Sequence, residues 1–300
     1  MFDSGKNPVA GGLAAVGAFV LWGLLPLYWK MLHSVPPLEV LGHRIVWSLV
    51  FVAVLMQVTR RWDELRRAVS SVRNMAVMAV AGVLVGGNWF LYIWAVNNGR
   101  VLETSLGYYI TPLLNVLMGC VLLGEQLSKG QKAALVLAAA GVAVQLTMLG
   151  RLPWVALVLA GSFSVYGLLR KTANVESVPG LFFETAVLTP VVLVYLVWLD
   201  GNGGAFGHAG TAVSLLLAGA GVCTSVPLLL FAFAARRMHL GTVGILQYIA
   251  PTIAFMLGVF VFDEPFSAGR LISFCFIWLA VAIYSGESLW KRRRRAVQQE

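Results

Sequence analysis

Long apolar runs separated by short polar ones fill this chain from Val9 to Trp290. About 20 predominantly apolar residues are enough for a helix to cross the hydrocarbon core of a bilayer. By that measure the pattern predicts helices near 9–31, 38–58, 75–96, 102–123, 129–148, 152–169, 180–198, 211–235, 240–262 and 269–290, ten in all. Two of the polar breaks are longer than the rest. Arg60 to Arg73, RRWDELRRAVSSVR, spaces its apolar residues like a short amphipathic helix lying on the membrane surface. It serves either as an orientation signal or as a contact for anionic headgroups. Asp200 to Gly210, DGNGGAFGHAG, has the composition of a flexible linker in which His208 is solvated.

The pattern also repeats. The stretch from Asn97 to Gln131 lies without a gap on Arg236 to Arg270 after a shift of 139 positions. Tyr109, Ile110, Pro112, Gly119, Glu125, Ser128 and Gly130 then meet Tyr248, Ile249, Pro251, Gly258, Glu264, Ser267 and Gly269. A period of nearly half the chain indicates a duplicated half, 1–150 and 151–300, and membrane transporters are often built this way. With five helices per half, an odd number, the second half enters the membrane inverted.

Composition agrees with a polytopic all-α membrane protein. Hydrophobic residues other than glycine make up 59% of the chain, against about 45–50% with glycine included in soluble domains. Charged residues are 12%, about half the usual share. The net charge of +9 belongs to the loops and not to a soluble basic face, which argues against nucleic acid. With the N-terminus inside, the inner loops and tail hold 17 of the 22 Lys and Arg residues, so both termini are expected in the cytoplasm. Cys120, Cys223 and Cys275 lie within apolar runs without metal-like spacing and read as small buried hydrophobes.

Several blocks carry a family likeness: AFVLWGLLPLYWK, EVLGHRIVWS and GNWFLYIWAVNNGRVLETSLGYYITPLLNVLMG, with GEQLS and DEPFS closing the fourth and ninth helices. From about Gly12 to Trp290 the chain resembles the EamA transporters of the RarD type in the drug/metabolite transporter superfamily. The resemblance implies ten helices in two inverted repeats in the bacterial inner membrane. It also implies export or exchange of small metabolites or drugs; the RarD branch is tied by name to chloramphenicol sensitivity.

Candidate chemistry lies where polar groups fall inside apolar runs. Pro112 and Pro251 have no N–H to donate and free the carbonyls of Tyr108 and Gln247. Such breaks persist where protein or a water-filled cavity supplies partners. Tyr108, Tyr109, Gln247 and Tyr248 thus mark either a midplane binding site or a pair of packing kinks. In helix 3, Asn88, Trp89 and Tyr92 offer an amide beside aromatic surface, suited to an amphipathic ligand; Asn88 also suits an interhelical hydrogen bond. Gly82 and Gly86 are spaced to let helices approach. Glu125 and Glu264, at unfavourable helix C-termini, are expected to hold tight turns, and Ser128 with Gln131 reads as a capping box.

Arg44, preceded by His43, and Glu184 are charges at depth, each costing at least about 2.5–3.5 kcal/mol on insertion scales. A rise of 1.5 Å per residue puts Arg44 about 9 Å below the outer edge and Glu184 about 6 Å above the inner one. In a core of about 30 Å that leaves about 15 Å between them, too far for a direct ion pair. They are expected in the outer and inner approaches, or as structural residues bonded locally. His43 is expected to be a hydrogen-bonded neighbour.

These features predict a secondary transporter of small amphipathic solutes working by alternating access. No nucleotide-binding loop and no HExxH-like pair is present, so neither ATP drive nor a cofactor or metal is expected, and an enzyme is not. An intramembrane enzyme and a membrane scaffold are the alternatives. Expected partners are a small-molecule substrate and membrane lipid, with a homodimer admissible.

Overall fold

The computed structural model describes residues 8–98, 100–149, 152–262 and 268–297. Among the described residues the chain forms twelve helices. They are α1 (Pro8–Met31), α2 (Pro37–Thr59), α3 (Trp62–Val69), α4 (Val72–Asn97), α5 (Val101–Leu123), α6 (Lys129–Leu149), α7 (Trp154–Thr172), α8 (Ser177–Asp200), α9 (Thr211–Arg237), α10 (Leu240–Gln247), α11 (Ile249–Phe260) and α12 (Ala268–Val297). Eight segments of the described chain are long and apolar enough to cross a membrane, with α10 and α11 counted together as one. The protein is an all-α, multi-pass membrane protein. Its outward surface fits lipid: Val58, Val191 and Val194 are 74%, 77% and 74% exposed, where a soluble bundle would carry charge.

Local chemistry sets the helix ends. Pro37 occupies the first turn of α2, where its missing N–H has no intrahelical partner to lose. The helix stops at Arg60, which adopts a left-handed backbone with φ 54°. Ser71 caps α4 by accepting from the Asn74 N–H. Gly124, at φ 65°, ends α5, and the Glu125 N–H turns back to the Gly119 carbonyl at 2.9 Å. Ser128 and Gln131 open α6 with reciprocal bonds of 3.0 and 3.3 Å, the capping box read from the sequence. Glu264 and Ser267, their repeat counterparts, lie outside the described residues.

Inside the bundle, α1 and α2 pack on α9, α2 on α8, α4 and α5 on α7, α5 on α10, and α6 on α12. Small residues permit the closest crossings. A Cβ on Gly82 would stand 3.0 Å from the Glu184 carbonyl oxygen, and one on Gly86 would stand 2.8 Å from Leu188. These glycines therefore bring α4 onto the backbone of α8. Alanines at 14, 15, 18, 81 and 234 line a core with Phe19, Tyr166 and Phe231, and a second core gathers Leu106, Tyr109, Ala138, Phe274 and Ile277.

The structure departs from the sequence expectation in two segments. The ninth predicted helix divides at Tyr248, with Pro251 in the first turn of α11, whereas α5 runs unbroken through Pro112. The stretch after Asp200 is tied down and is not a free linker: Glu39 Oε1 accepts from the Ala205 and Phe206 N–H groups at 2.7 and 3.2 Å. His208 contacts Asp200 at 3.2 Å.

Candidate solute site

Arg44 lies two turns into α2 and is half-buried. Its Nε donates to Thr224 Oγ1 of α9 at 3.0 Å. Its guanidinium carbon sits 4.7 Å from the ring centroid of Trp29 on α1 and 4.8 Å from that of Trp89 on α4. Indole faces attract a cation through their quadrupole, more strongly where water is excluded. Tyr92 and Tyr108 are close enough to act electrostatically on the guanidinium, and their rings meet edge to face at 5.9 Å. Four predicted residues, Arg44, Trp89, Tyr92 and Tyr108, thus come together with two that sequence reasoning missed, Trp29 and Thr224.

Tyr109, Gln247 and Tyr248 form a second, separate group. The Tyr248 hydroxyl donates to the Tyr109 carbonyl at 3.0 Å, and Asn115 Nδ2 donates to Gln247 Oε1 at 3.0 Å. Tyr109 is buried against Phe274, while Tyr108, next in sequence, is 50% exposed and meets the ring of Tyr92. The four residues expected to share one cluster are therefore divided by the turn of α5. Asn88 engages α7 instead of the aromatic group, donating to the Leu159 carbonyl at 2.8 Å and to Ser162 Oγ at 2.9 Å.

Glu184 is buried, and its partner is Arg170, at 3.0 Å. Each side chain is 1% exposed, so Glu184 does not stand in a hydrated opening. Arg170 also donates to the carbonyls of Glu176 and Ser177, and Tyr166 donates to Glu184 Oε2 at 3.2 Å. His43 belongs to another locus again: it lies 3.9 Å from Glu39 and stacks on Phe206 at 4.7 Å. Among the described residues, no group of three or more His, Cys, Asp or Glu side chains is placed to hold a metal.

Comparison with known proteins decides what kind of bundle this is. Residues 9–147 match the EamA-like transporter family. Protein RarD of Escherichia coli (strain K12) is 44% identical, over 96% of this chain and 98% of that one. An uncharacterized transporter of Vibrio cholerae serotype O1 is 46% identical over 93% of each chain. This chain belongs to the EamA-like transporter family. It is an EamA transporter of the RarD type in the drug/metabolite transporter superfamily, and hence a membrane transporter. A crystal structure sharing 20% sequence identity superposes with a TM-score of 0.68, over 92% of this chain and 97% of the other. At that identity the likeness concerns the fold alone.

Within this EamA bundle three glutamates, Glu39 and Glu103 buried and Glu125 half-buried, tie residues of the first 150 to residues beyond them. Glu39 holds residues 205 and 206; Glu103 accepts from the Val155 N–H at the start of α7 at 3.2 Å. Glu125 accepts from the Leu240 and Gly241 N–H groups at 2.6 and 3.0 Å. The expected turn role of Glu125 is therefore replaced by capping of a distant helix, α10, whose own N-cap residue provides no side-chain bond. Lys171 at 3.6 Å and His239 at 3.7 Å complete its surroundings. Burial works to raise the Glu125 carboxyl pKa, but His239, the two N–H groups and Lys171 outweigh it and hold it below its usual value.

Two crevices mark opposite ends of the bundle. One, of about 630 Å³, is bordered by Leu55, Arg61, Glu176, Phe233 and Arg237; the other, of about 350 Å³, by Glu39, His43, Trp47 and Phe206. Neither includes Arg44. Between the Arg44 group and the larger crevice stand packed rings: Phe231 lies 5.7, 5.3 and 6.1 Å from Trp22, Phe163 and Tyr166.

Proposed function

We propose that this EamA transporter is a secondary carrier of small amphipathic organic solutes. It works by alternating access through ten spans, built as two inverted halves, 1–150 and 151–300, with both termini in the cytoplasm. The observation that carries the reading is the Arg44 group. A half-buried cation in an apolar bundle is held between Trp29 and Trp89, with Tyr92 and Tyr108 beside it. Aromatic walls around one fixed polar group suit a ligand that is part apolar and part polar.

The inverted-repeat reading is supported by the 139-residue shift and by which helices pair. The counterparts α2 and α8, α5 and α10, and α6 and α12 pack against each other, as they would about a pseudo-two-fold axis. The Arg44 group lies near the α1–α2 and α4–α5 connections, the end that loop charge assigns to the outside. Phe231 and its aromatic neighbours, with the Arg170–Glu184 pair behind them, then form the inner closure. Exchange of which end is closed would carry solute across.

Liposomes containing only the full chain test this. They should accumulate a radiolabelled aromatic solute above protein-free liposomes, with and without a pH gradient, and Trp89→Ala should slow that uptake severalfold. Equal accumulation in both kinds of liposome across a broad solute panel rejects transport.

A further inference from the structure

We infer that the Arg44 site takes an organic anion, a carboxylate or similar oxyanion carried on an aromatic body. The inference rests on the transport reading above and gives it a substrate class. It begins from how this chain treats three other arginines that are wholly or partly buried. Arg100 meets Glu103 at 3.2 Å, Arg170 meets Glu184 at 3.0 Å, and Arg236 meets Glu176 at 2.8 Å. Among the described residues Arg44 meets no carboxylate; the groups around it are Trp29, Trp89, Tyr92, Tyr108, Cys223 and Thr224. A half-buried charge inside an apolar bundle without a counter-charge is unfavourable, and an anionic ligand is what would relieve it.

The guanidinium is also oriented for that task. Its Nε is fixed by Thr224 Oγ1, and its central carbon lies over two indoles on different helices. That leaves the Nη1 and Nη2 edge, which has no hydrogen-bond partner among the described residues and is not sealed off. Two parallel N–H groups on that edge match the two oxygens of a carboxylate, a fit that a lysine ammonium lacks. The Tyr92 and Tyr108 hydroxyls likewise have no bonded partner among the described residues, so they are available as further donors. Trp89, Tyr92 and Tyr108 supply aromatic surface for the body of the ligand. A cationic solute would meet repulsion from Arg44, and a neutral one would leave the fork uncompensated.

Three probes of one shape test the inference: 1-naphthoate, 1-naphthamide and 1-naphthylmethylammonium, bound to the full chain in detergent at equilibrium and offered to it in liposomes. Naphthoate should bind at least about tenfold tighter than the amide, the size of one charge-assisted hydrogen bond, with the ammonium weakest. Arg44→Gln should erase that preference, leaving acid and amide alike, and Arg44→Lys should keep part of it. If Arg44→Gln does not fold, the wild-type ranking and Arg44→Lys still decide. Equal or tighter binding of the amide or ammonium overturns the inference, as does an Arg44→Gln variant that weakens all three probes equally. Uptake of the amide or ammonium in those cases leaves the transporter standing. Failure of all three to bind strikes down the anion inference alone; transport falls with it only if the broad solute panel also accumulates no more than in protein-free liposomes.

Discussion

Tyr248 donates its hydroxyl hydrogen to the backbone carbonyl of Tyr109, its own counterpart 139 positions earlier, at 3.0 Å. The bond joins α5 to the break between α10 and α11, where the two prolines also lie. Gly244 makes the approach possible, since a Cβ there would stand 2.8 Å from the Pro112 carbonyl oxygen. The two stretches related by the 139-residue shift therefore meet at the point where their helices are interrupted or constrained by proline.

Tyr248→Phe removes that hydrogen bond and nothing else of similar size. Interhelical bonds in membranes contribute about 0.6 kcal/mol on average and up to about 1.7. We expect the variant to unfold with a free energy lower by that order in mixed-micelle titrations, at near-normal membrane abundance. An unchanged unfolding midpoint would show the bond to be idle.

The Arg170–Glu184 pair calls for a double-mutant cycle. Removing one member strands a buried charge and costs about 3–5 kcal/mol. Arg170→Met and Glu184→Leu should each lower stability and abundance strongly, while the double variant recovers much of the loss. A double variant as unstable as the sum of the singles would mean the two groups act independently. Gly180→Ala should resemble the singles, because Arg170 Nη1 occupies the space its methyl would need.

Glu125 sets a pH dependence. Its folded carboxyl pKa lies below the ordinary 4.5, so the capping of α10 is fully present above that value and is lost as pH falls through the depressed one. Stability in detergent should decline on acidification below about pH 4.5. Glu125→Gln should lose about 0.5–2 kcal/mol at neutral pH, the usual scale for a cap, and show a shallower acid decline. Identical acid curves for the two proteins would assign the transition to other carboxylates.

Inverted topology is tested with single cysteines at Asn202 and Ser70, both exposed, in a background lacking Cys120, Cys223 and Cys275. In sealed cells an impermeant maleimide should label the first from outside, and should reach the second only after the membrane is opened. Labelling of both from the same side contradicts the inverted halves.

How much of this was legible beforehand follows from which interactions are local. A spanning helix satisfies its own backbone, so an apolar run of the right length is enough to announce it; the observed helix ends fall within a few residues of those expected through most of the chain. The capping box at Ser128 and Gln131 was readable for the same reason, both partners lying within four residues. Arg44, Trp89, Tyr92 and Tyr108 stood out as polar or amphipathic groups at depth. Their convergence did not, because a helix apolar on every side gives no polar stripe from which to read its rotation. Rotation sent Tyr108 toward Arg44 and Tyr109 toward Tyr248, and turned Asn88 onto α7. Trp29, near the end of α1, and Arg170, near the end of α7, carry no local sign of their partners; packing alone put each beside its own. Glu39, Glu103 and Glu125 bond to backbone 166, 52 and 115 residues away, through N–H groups that every residue but proline carries. The sequence by itself determined the all-α, multi-pass character of the chain and the inventory of polar groups within its apolar runs; tertiary packing alone decided which of them met, since pairing across helices depends on rotation and crossing that no local pattern records.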